Sequence, residues 1–280
     1  MGSEMCIRDS FYNPQQGLKE FNQYVYQFGL GNELGIDFPG EEAGNVPTPQ
    51  YYDKVYKGGG WKSPTIMSYG IGQGELQMTS IQMANLVTIL ANRGYYRTPH
   101  LVKGFRNDTT QIDAKYQKVN QVFVDQNYFD LIADGMERVV TTGTARSAFI
   151  WDIPIAGKTG TTNGEFDAWF VGYSPQITTG VWVGYLTEKS LGVGEGGGRT
   201  SLPIWLEYMK LAHKELPKEE FEVPRGITFV NIDGNTGKLA SENSETVIKQ
   251  AFAAGTEPQS SDATYSPEDD KNFYKQDLDE

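Results

Sequence analysis

The chain has 280 residues, a formal net charge of −12, 38% hydrophobic residues and 32 glycines. At roughly 150 residues per domain, that length fits one large domain or two small ones, with enough apolar content for a sizeable core and no wholesale disorder. One cysteine excludes a disulfide scaffold and a cysteine zinc site, two histidines (His100 and His213) leave no multi-histidine metal centre, and the acidity argues against a nucleic-acid partner. No metal and no cofactor is expected.

Residues 1–10 follow no periodic pattern and read as an artefactual leader, so Cys6 is given no role. Leu18, Phe21, Tyr24, Val25 and Phe28 recur at helical spacing, which predicts an amphipathic helix over 17–28. Residues 32–64, rich in Gly, Pro, Asn and aromatics, read as a long ordered loop of the kind that forms lids and binding walls; Trp61 is its candidate cleft residue. Thr79 and Gln82 fit a capping box that opens a helix over 79–93, with Gly94 as its stop. A second helix is expected over 126–141, capped by Asp125, with Tyr128, Leu131, Ile132, Met136, Val139 and Val140 on its apolar side.

Three runs then follow at hairpin spacing: Ile153–Thr161, Ala168–Tyr173 and Thr179–Tyr185. They predict an antiparallel meander. After the loop Gly192–Gly198 comes a helix over 202–216, with Pro203 in its first turn. A last hairpin is expected from Ile227–Ile232 through Asp233-Gly234-Asn235 to Gly237–Ala240. Helices before and after an antiparallel sheet make an α+β fold. Residues 256–280 carry eight acids against two bases and read as a disordered acidic tail. The expected divisions are a leader at 1–10, the main domain at 11–216, an extension with a hairpin at 217–255, and the tail.

The sharpest local motif is Ala156-Gly157-Lys158-Thr159-Gly160-Thr161-Thr162. As a phosphate-binding P-loop it fails, because Asp152 stands where the first glycine belongs and a strand, not a helix, follows. The alternative is the Lys-Thr-Gly strand of a serine acyl-transferase. There a lysine ammonium supplies positive potential beside the reacting serine and the substrate carboxylate. The threonine hydroxyls bind that carboxylate, and the glycine lets the substrate backbone lie along the strand. Trp151, Trp169, Trp182 and Trp205 read as packing residues rather than sugar platforms. Asp152 with Glu165–Asp167 is a weaker, glycosidase-like alternative, and Arg199 is a second candidate cation beside the strand.

The order and spacing of further segments carry a resemblance. These are Phe28-Gly-Leu-Gly31, Gly35-Ile-Asp-Phe-Pro-Gly40, Ile71-Gly-Gln-Gly74, Ala91-Asn-Arg-Gly94, Thr142-Gly-Thr-Ala145, Gly157-Lys-Thr-Gly-Thr161, Phe166–Tyr173, Gly180–Gly184 and Gly197–Ile204. Over roughly residues 11–255 the chain resembles the transpeptidase domain of penicillin-binding proteins. The resemblance implies a penicillin-binding, β-lactamase-like fold and D,D-transpeptidation of peptidoglycan stem peptides outside the cytoplasmic membrane, with β-lactams as inhibitors. It implies catalytic roles for Lys158, Thr159 and Gly160, and substrate contacts from Thr159, Thr161 and Thr162. It also implies that the Thr161 N–H forms half of an oxyanion hole.

The family's other two motifs are not found. No serine in the chain has a lysine three residues on, and the sole Ser-x-Asn, Ser241-Glu242-Asn243, lies after Lys158 instead of before it. The expectation is an N-terminally incomplete domain, inactive by itself, with a membrane anchor elsewhere in the parent and an exposed apolar face. A non-catalytic binding homologue and a β-lactamase-like hydrolase are the alternatives. Residues 28–105 resemble the monofunctional elongation-type enzymes, and residues 161–255 the bifunctional class A enzymes. The change falls near Gly157–Thr162, as a join of two paralogous genes would place it; one uninterrupted DNA read across residues 140–180 tests that.

Overall fold

The computed structural model describes residues 13–57, 60–104, 114–187, 189–223 and 226–258. The expected leader and all but the first three residues of the expected acidic tail lie outside these. The chain forms two compact units that divide after Phe221.

In the first unit, helix α1 spans Pro14–Gln27, three residues earlier than expected, because the Asn13 side chain caps it and Pro14 suits its first position. The region 32–64 is not simply a loop. It contains helix α2 (Pro49–Val55), which starts on the Thr48 cap, and a 3-10 turn begins at Ser63. Helix α3 (Met67–Gly70) follows. Tyr52, Trp61, Ile66 and Tyr69 pack with Leu18, Leu30 and Val46 as one buried cluster. Trp61 is therefore a core residue, not a cleft residue: it is 2% exposed and its indole N–H donates to Asp53 Oδ1 at 2.7 Å.

Helix α4 (Ser80–Ala91) has the expected capping box, with both Thr79–Gln82 bonds made. Gln82 is also fully buried, and its amide donates to the carbonyls of Asn32 and Ala43, both at 2.9 Å. One side chain thus caps α4 and ties the 32–43 segment to it. Strands β1 (Tyr95–Arg97) and β2 (Val119–Gln121) form a short antiparallel pair that the sequence reading did not anticipate, with helix α5 (Ala114–Gln117) before β2.

Helix α6 spans Gln126–Thr141, as expected, with Asp125 accepting from Asn127 N–H at 2.9 Å. Its buried side is Phe129, Met136 and Val140, while Tyr128, Leu131 and Ile132 face solvent. The central sheet is the expected meander: β3 (Ala156–Thr161), β4 (Asp167–Tyr173) and β5 (Thr178–Gly184), in that spatial order. Helix α7 (Ser201–Ala212) packs Leu202, Trp205 and Met209 against Phe170 on one face of the sheet. Val87 of α4 and Met136 of α6 meet Ala156, Val171 and Tyr173 on the other face. Helices on both faces of an antiparallel sheet give the α+β class.

The second unit holds β6 (Ile227–Asp233) and β7 (Val247–Ala253), paired antiparallel. The expected partner for β6 was 237–240. The turn at Asp233 does form, with Asp233 N–H donating to Lys238 O and Ala240 N–H to Asn231 O, but the ladder along β6 belongs to β7. Among the described residues no helix is long and apolar enough to cross a membrane.

Candidate active site

Strand β3 is one of the two edge strands of the central sheet, and its exposure is graded. Ala156 and Gly157 are buried, exposure begins at Lys158, and Thr159 to Thr161 are half-buried or exposed. Alternation along the strand puts Gly157, Thr159 and Thr161 on one face and Lys158 and Gly160 on the other. A Cβ at Gly157 would meet the Phe170 ring at 2.8 Å, so the Thr159–Thr161 face is the one that α7 covers. Lys158 Nζ donates to the Thr159 carbonyl at 2.6 Å and so lies against its own strand. The Gly157-Lys158-Thr159 triplet is mid-strand, paired residue for residue with β4, which removes the phosphate-loop reading.

The loop before α7 closes over this strand. Gly197 N–H donates to Thr161 Oγ1 at 3.1 Å. A Cβ at Gly197 would lie 2.6 Å from Gly160 O and closer still to Trp169 O; one at Gly196 would lie 2.8 Å from Thr161 Oγ1. The glycines are what allow backbone to rest on backbone here. A hydroxyl has one proton and two lone pairs, so Thr161, having accepted from Gly197, still has its O–H to donate. Its neighbour Thr162 is occupied differently: its Oγ1 accepts the Asp167 N–H at 2.8 Å and donates to Asp167 Oδ2 at 3.2 Å. Thr159 and Thr161 thus share a face, and Thr162 closes the β3–β4 turn.

Other candidate residues are engaged elsewhere. Asp167 also accepts the Trp182 indole N–H at 2.9 Å, while Asp152 pairs with Lys218 at 2.9 Å. The two carboxylates have separate structural partners, and nothing brings them together for the glycosidase-like alternative. Arg199 pairs with Glu195 at 3.4 Å. Glu165, in the left-handed region at φ 59°, accepts the Gly194 N–H at 2.7 Å and so pins the 190s loop to the β3–β4 turn. Trp205 is buried and Trp169 and Trp182 lie half-buried on the sheet, but Trp151, expected to pack, is 86% exposed. His100 is exposed and stacks on Tyr116 at 4.8 Å.

A serine–histidine pair went unnoticed in the sequence, since its members are 39 residues apart: Ser174 Oγ and His213 Nε2 lie 2.8 Å apart. His213 Nδ1 lies 2.8 Å from the Met209 carbonyl, which can only accept, so Nδ1 carries the proton and Nε2 accepts from Ser174. Ser174 is buried, and its oxygen also accepts from the Gln176 and Ile177 N–H groups, so the pair caps the β4–β5 turn. Among the described residues no group of His, Cys, Asp and Glu could hold a metal ion.

An edge strand reading Gly-Lys-Thr-Gly-Thr, in an antiparallel sheet with helices on both faces, fits the serine acyl-transferase class of α+β folds. Comparison with known proteins makes this specific. Residues 12–210 match the penicillin binding protein transpeptidase domain, and residues 223–267 match the C-terminal domain of penicillin-binding protein 1A. The chain is 38% identical over 190 residues to penicillin-binding protein 1A of Aquifex aeolicus, covering 68% of this chain and 26% of that protein. It is 30% identical over 244 residues to penicillin-binding protein 1A of Vibrio cholerae, covering 70% of this chain and 29% of that protein. A crystal structure of Pseudomonas aeruginosa PBP2 in complex with WCK 5153 superimposes with a TM-score of 0.60 at 25% identity, over 79% of this chain and 49% of that one. The chain belongs to the penicillin-binding protein transpeptidase family. It spans about a quarter of the length of these curated relatives.

Proposed function

We propose that these residues are the substrate-strand side of a peptidoglycan D,D-transpeptidase acting outside the cytoplasmic membrane. In this reading a serine attacks the penultimate D-Ala carbonyl of a stem peptide and expels the terminal D-Ala. The resulting acyl group then passes to an amine of a neighbouring stem. The serine and its lysine base are not among the 280 residues, so what this chain supplies is binding and electrostatics. The observation that carries the reading is the β3 strand, on which exposure begins at Lys158 and whose Thr159 and Thr161 share a face.

Lys158 stabilises negative charge near the serine and the substrate carboxylate. Thr159 and Thr161 donate hydroxyl protons to that carboxylate. Gly160 leaves the strand edge bare, and the Thr161 N–H donates to the oxyanion. Thr162 holds the turn and acts on the substrate only through Thr161. A β-lactam enters as a substrate mimic and acylates the same serine. No cofactor is needed for acyl transfer of this kind.

The test is covalent labelling with a fluorescent penicillin. The 280-residue chain takes no stoichiometric label. The protein that carries these residues behind an upstream Ser-x-x-Lys takes one, and Thr161→Val slows its acylation roughly tenfold to a hundredfold, the scale of losing one hydrogen bond to the substrate's carboxylate. Stoichiometric labelling of the 280-residue chain contradicts the serine assignment.

A further inference from the structure

Glu165 is held in the left-handed backbone region at φ 59°, directly after Gly164 at φ 76°. Glycine takes such a backbone freely. A side chain there costs energy and persists only where its surroundings hold it. The surroundings here are the loop that leads into α7. Glu165 Oε1 accepts the Gly194 N–H at 2.7 Å, and the Glu165 carbonyl accepts the Leu191 N–H at 2.8 Å. Ser190 Oγ donates to the Gly164 carbonyl at 2.8 Å. The β3–β4 turn thus grips the entrance of that loop.

The exit of the loop is fixed separately. Ser201, the first residue of α7, donates from Oγ to the Ala168 carbonyl at 2.7 Å, and Ala168 stands opposite Thr161 in the β3–β4 ladder. The Gly196 carbonyl accepts the Thr200 N–H and the Gly197 carbonyl the Leu202 N–H, both at 2.9 Å, so these two glycines are tied into the start of the helix. Between the two anchors the Gly197 N–H reaches Thr161 Oγ1 at 3.1 Å.

That bond restricts where a proton can point. A hydroxyl that accepts on one side must donate along one of its remaining directions. Thr161 is exposed, so its O–H is left for a partner outside the protein. Without the Gly197 bond the hydroxyl rotates freely, and its orientation has to be fixed at the moment the substrate binds. We propose that Glu165 is a positioning residue: by holding Gly194 it keeps the Gly197 N–H on Thr161 Oγ1, and so presents the Thr161 O–H to the substrate carboxylate. The proposal rests on the transpeptidase reading above. Glu165 acts through the loop and touches no reacting atom.

The test uses the protein that carries these residues behind an upstream Ser-x-x-Lys and reads the second-order rate of acylation by a fluorescent penicillin, whose carboxylate stands in for that of the stem peptide. Glu165→Gly suits the turn backbone and removes only the side-chain grip. It is expected to slow acylation roughly threefold to tenfold, with the urea midpoint close to the parent's. Glu165→Asn also tolerates this φ but is too short to reach Gly194, and is expected to behave alike. Glu165→Gln keeps an acceptor oxygen for Gly194 and is expected to stay within about twofold of the parent. In a Thr161→Val background, adding Glu165→Gly is expected to cause no further slowing, because the hydroxyl it positions is gone. Parent-like rates in both Glu165→Gly and Glu165→Asn, a Glu165→Gln variant as slow as they are, or losses that multiply in the double variant would overturn the proposal. If Thr161→Val slows acylation while the Glu165 variants do not, the positioning role falls and the transpeptidase reading stands. A parent protein that takes no label removes both.

Discussion

Gly197 shows how one residue shapes the site. It lies against Gly160 and Trp169 so closely that any Cβ displaces backbone rather than a movable side chain. Gly197→Ala is therefore expected to cost about 3 kcal/mol in urea unfolding, the upper part of the overpacking range; an unchanged midpoint means the loop does not rest on β3. The Tyr173 hydroxyl is buried without a hydrogen-bond partner among the described residues, and burial, aided by Glu137, pushes its pKa up to about 12. Tyr173→Phe removes that unpaired group and is expected to raise stability by about 1 kcal/mol. Glu137 itself has its pKa raised, first by burial and then by Asp134 and Glu220, against the opposing charge of Arg93. The folded state holds that proton more tightly than the unfolded chain, so the Glu137 contribution to stability falls as pH rises above the ordinary value of 4.5. Glu137→Gln should accordingly gain stability over the parent near pH 7, with the gain disappearing below pH 4.5; a gain that persists in acid contradicts this. At this scale the capping residues Thr79, Gln82 and Asp125 were legible, because cap chemistry is local. The second task of Gln82, binding two carbonyls more than 35 residues away, was not, because nothing near it in sequence signals those partners.

Elements were legible where period and cap agreed. Helix α6 and the three strands β3 to β5 follow their sequence signals closely, since alternation and turn residues mark both ends of each strand. The face of α6 was harder to read: Tyr128, Leu131 and Ile132 fit the apolar stripe but lie outside. Helical spacing gives a stripe, whereas burial depends on which neighbour the helix meets. Helix α2 and its buried Tyr52 were hidden among glycines and prolines, where composition argued for loop. The β7 partner of β6 was missed because a strong local turn at Asp233 suggested the nearer segment. Trp205 anchors α7 to the sheet, being fully buried with its indole N–H donating to Thr179 O at 2.9 Å. Trp205→Ala is expected to cost about 3–5 kcal/mol, read by chemical denaturation; a loss below 1 kcal/mol would show that α7 does not depend on this anchor. A two-stranded ribbon is marginal alone, so β6 and β7 amides should exchange with solvent faster than those of β4. Equal protection contradicts that ordering.

For the whole molecule, the Lys-Thr-Gly strand was legible because the chemistry fixes residue types at fixed spacing. The exposure of Trp151 was not, because a tryptophan between apolar runs carries no mark of which way it faces. Helix α7 leaves Ile204, Tyr208 and Leu211 exposed along one side, at 54%, 52% and 60%. An apolar stripe of this kind promotes association, so sedimentation velocity should show self-association that rises with concentration; a single monomeric species throughout contradicts it. Residues on both sides of 157–162 share one core: Val87 and Met136 before it pack with Val171 and Tyr173 after it. The fold thus treats the two stretches as one sheet-and-helix assembly, and functional claims for either depend on the other. The central claim is that Lys158 supplies transition-state electrostatics for acyl transfer to a serine. The direct measurement is the second-order rate of acylation by a fluorescent penicillin, in the protein carrying these residues behind an upstream Ser-x-x-Lys, for the parent and for Lys158→Ala. A fall of roughly a hundredfold or more is expected, with folding intact. An unchanged acylation rate would contradict it.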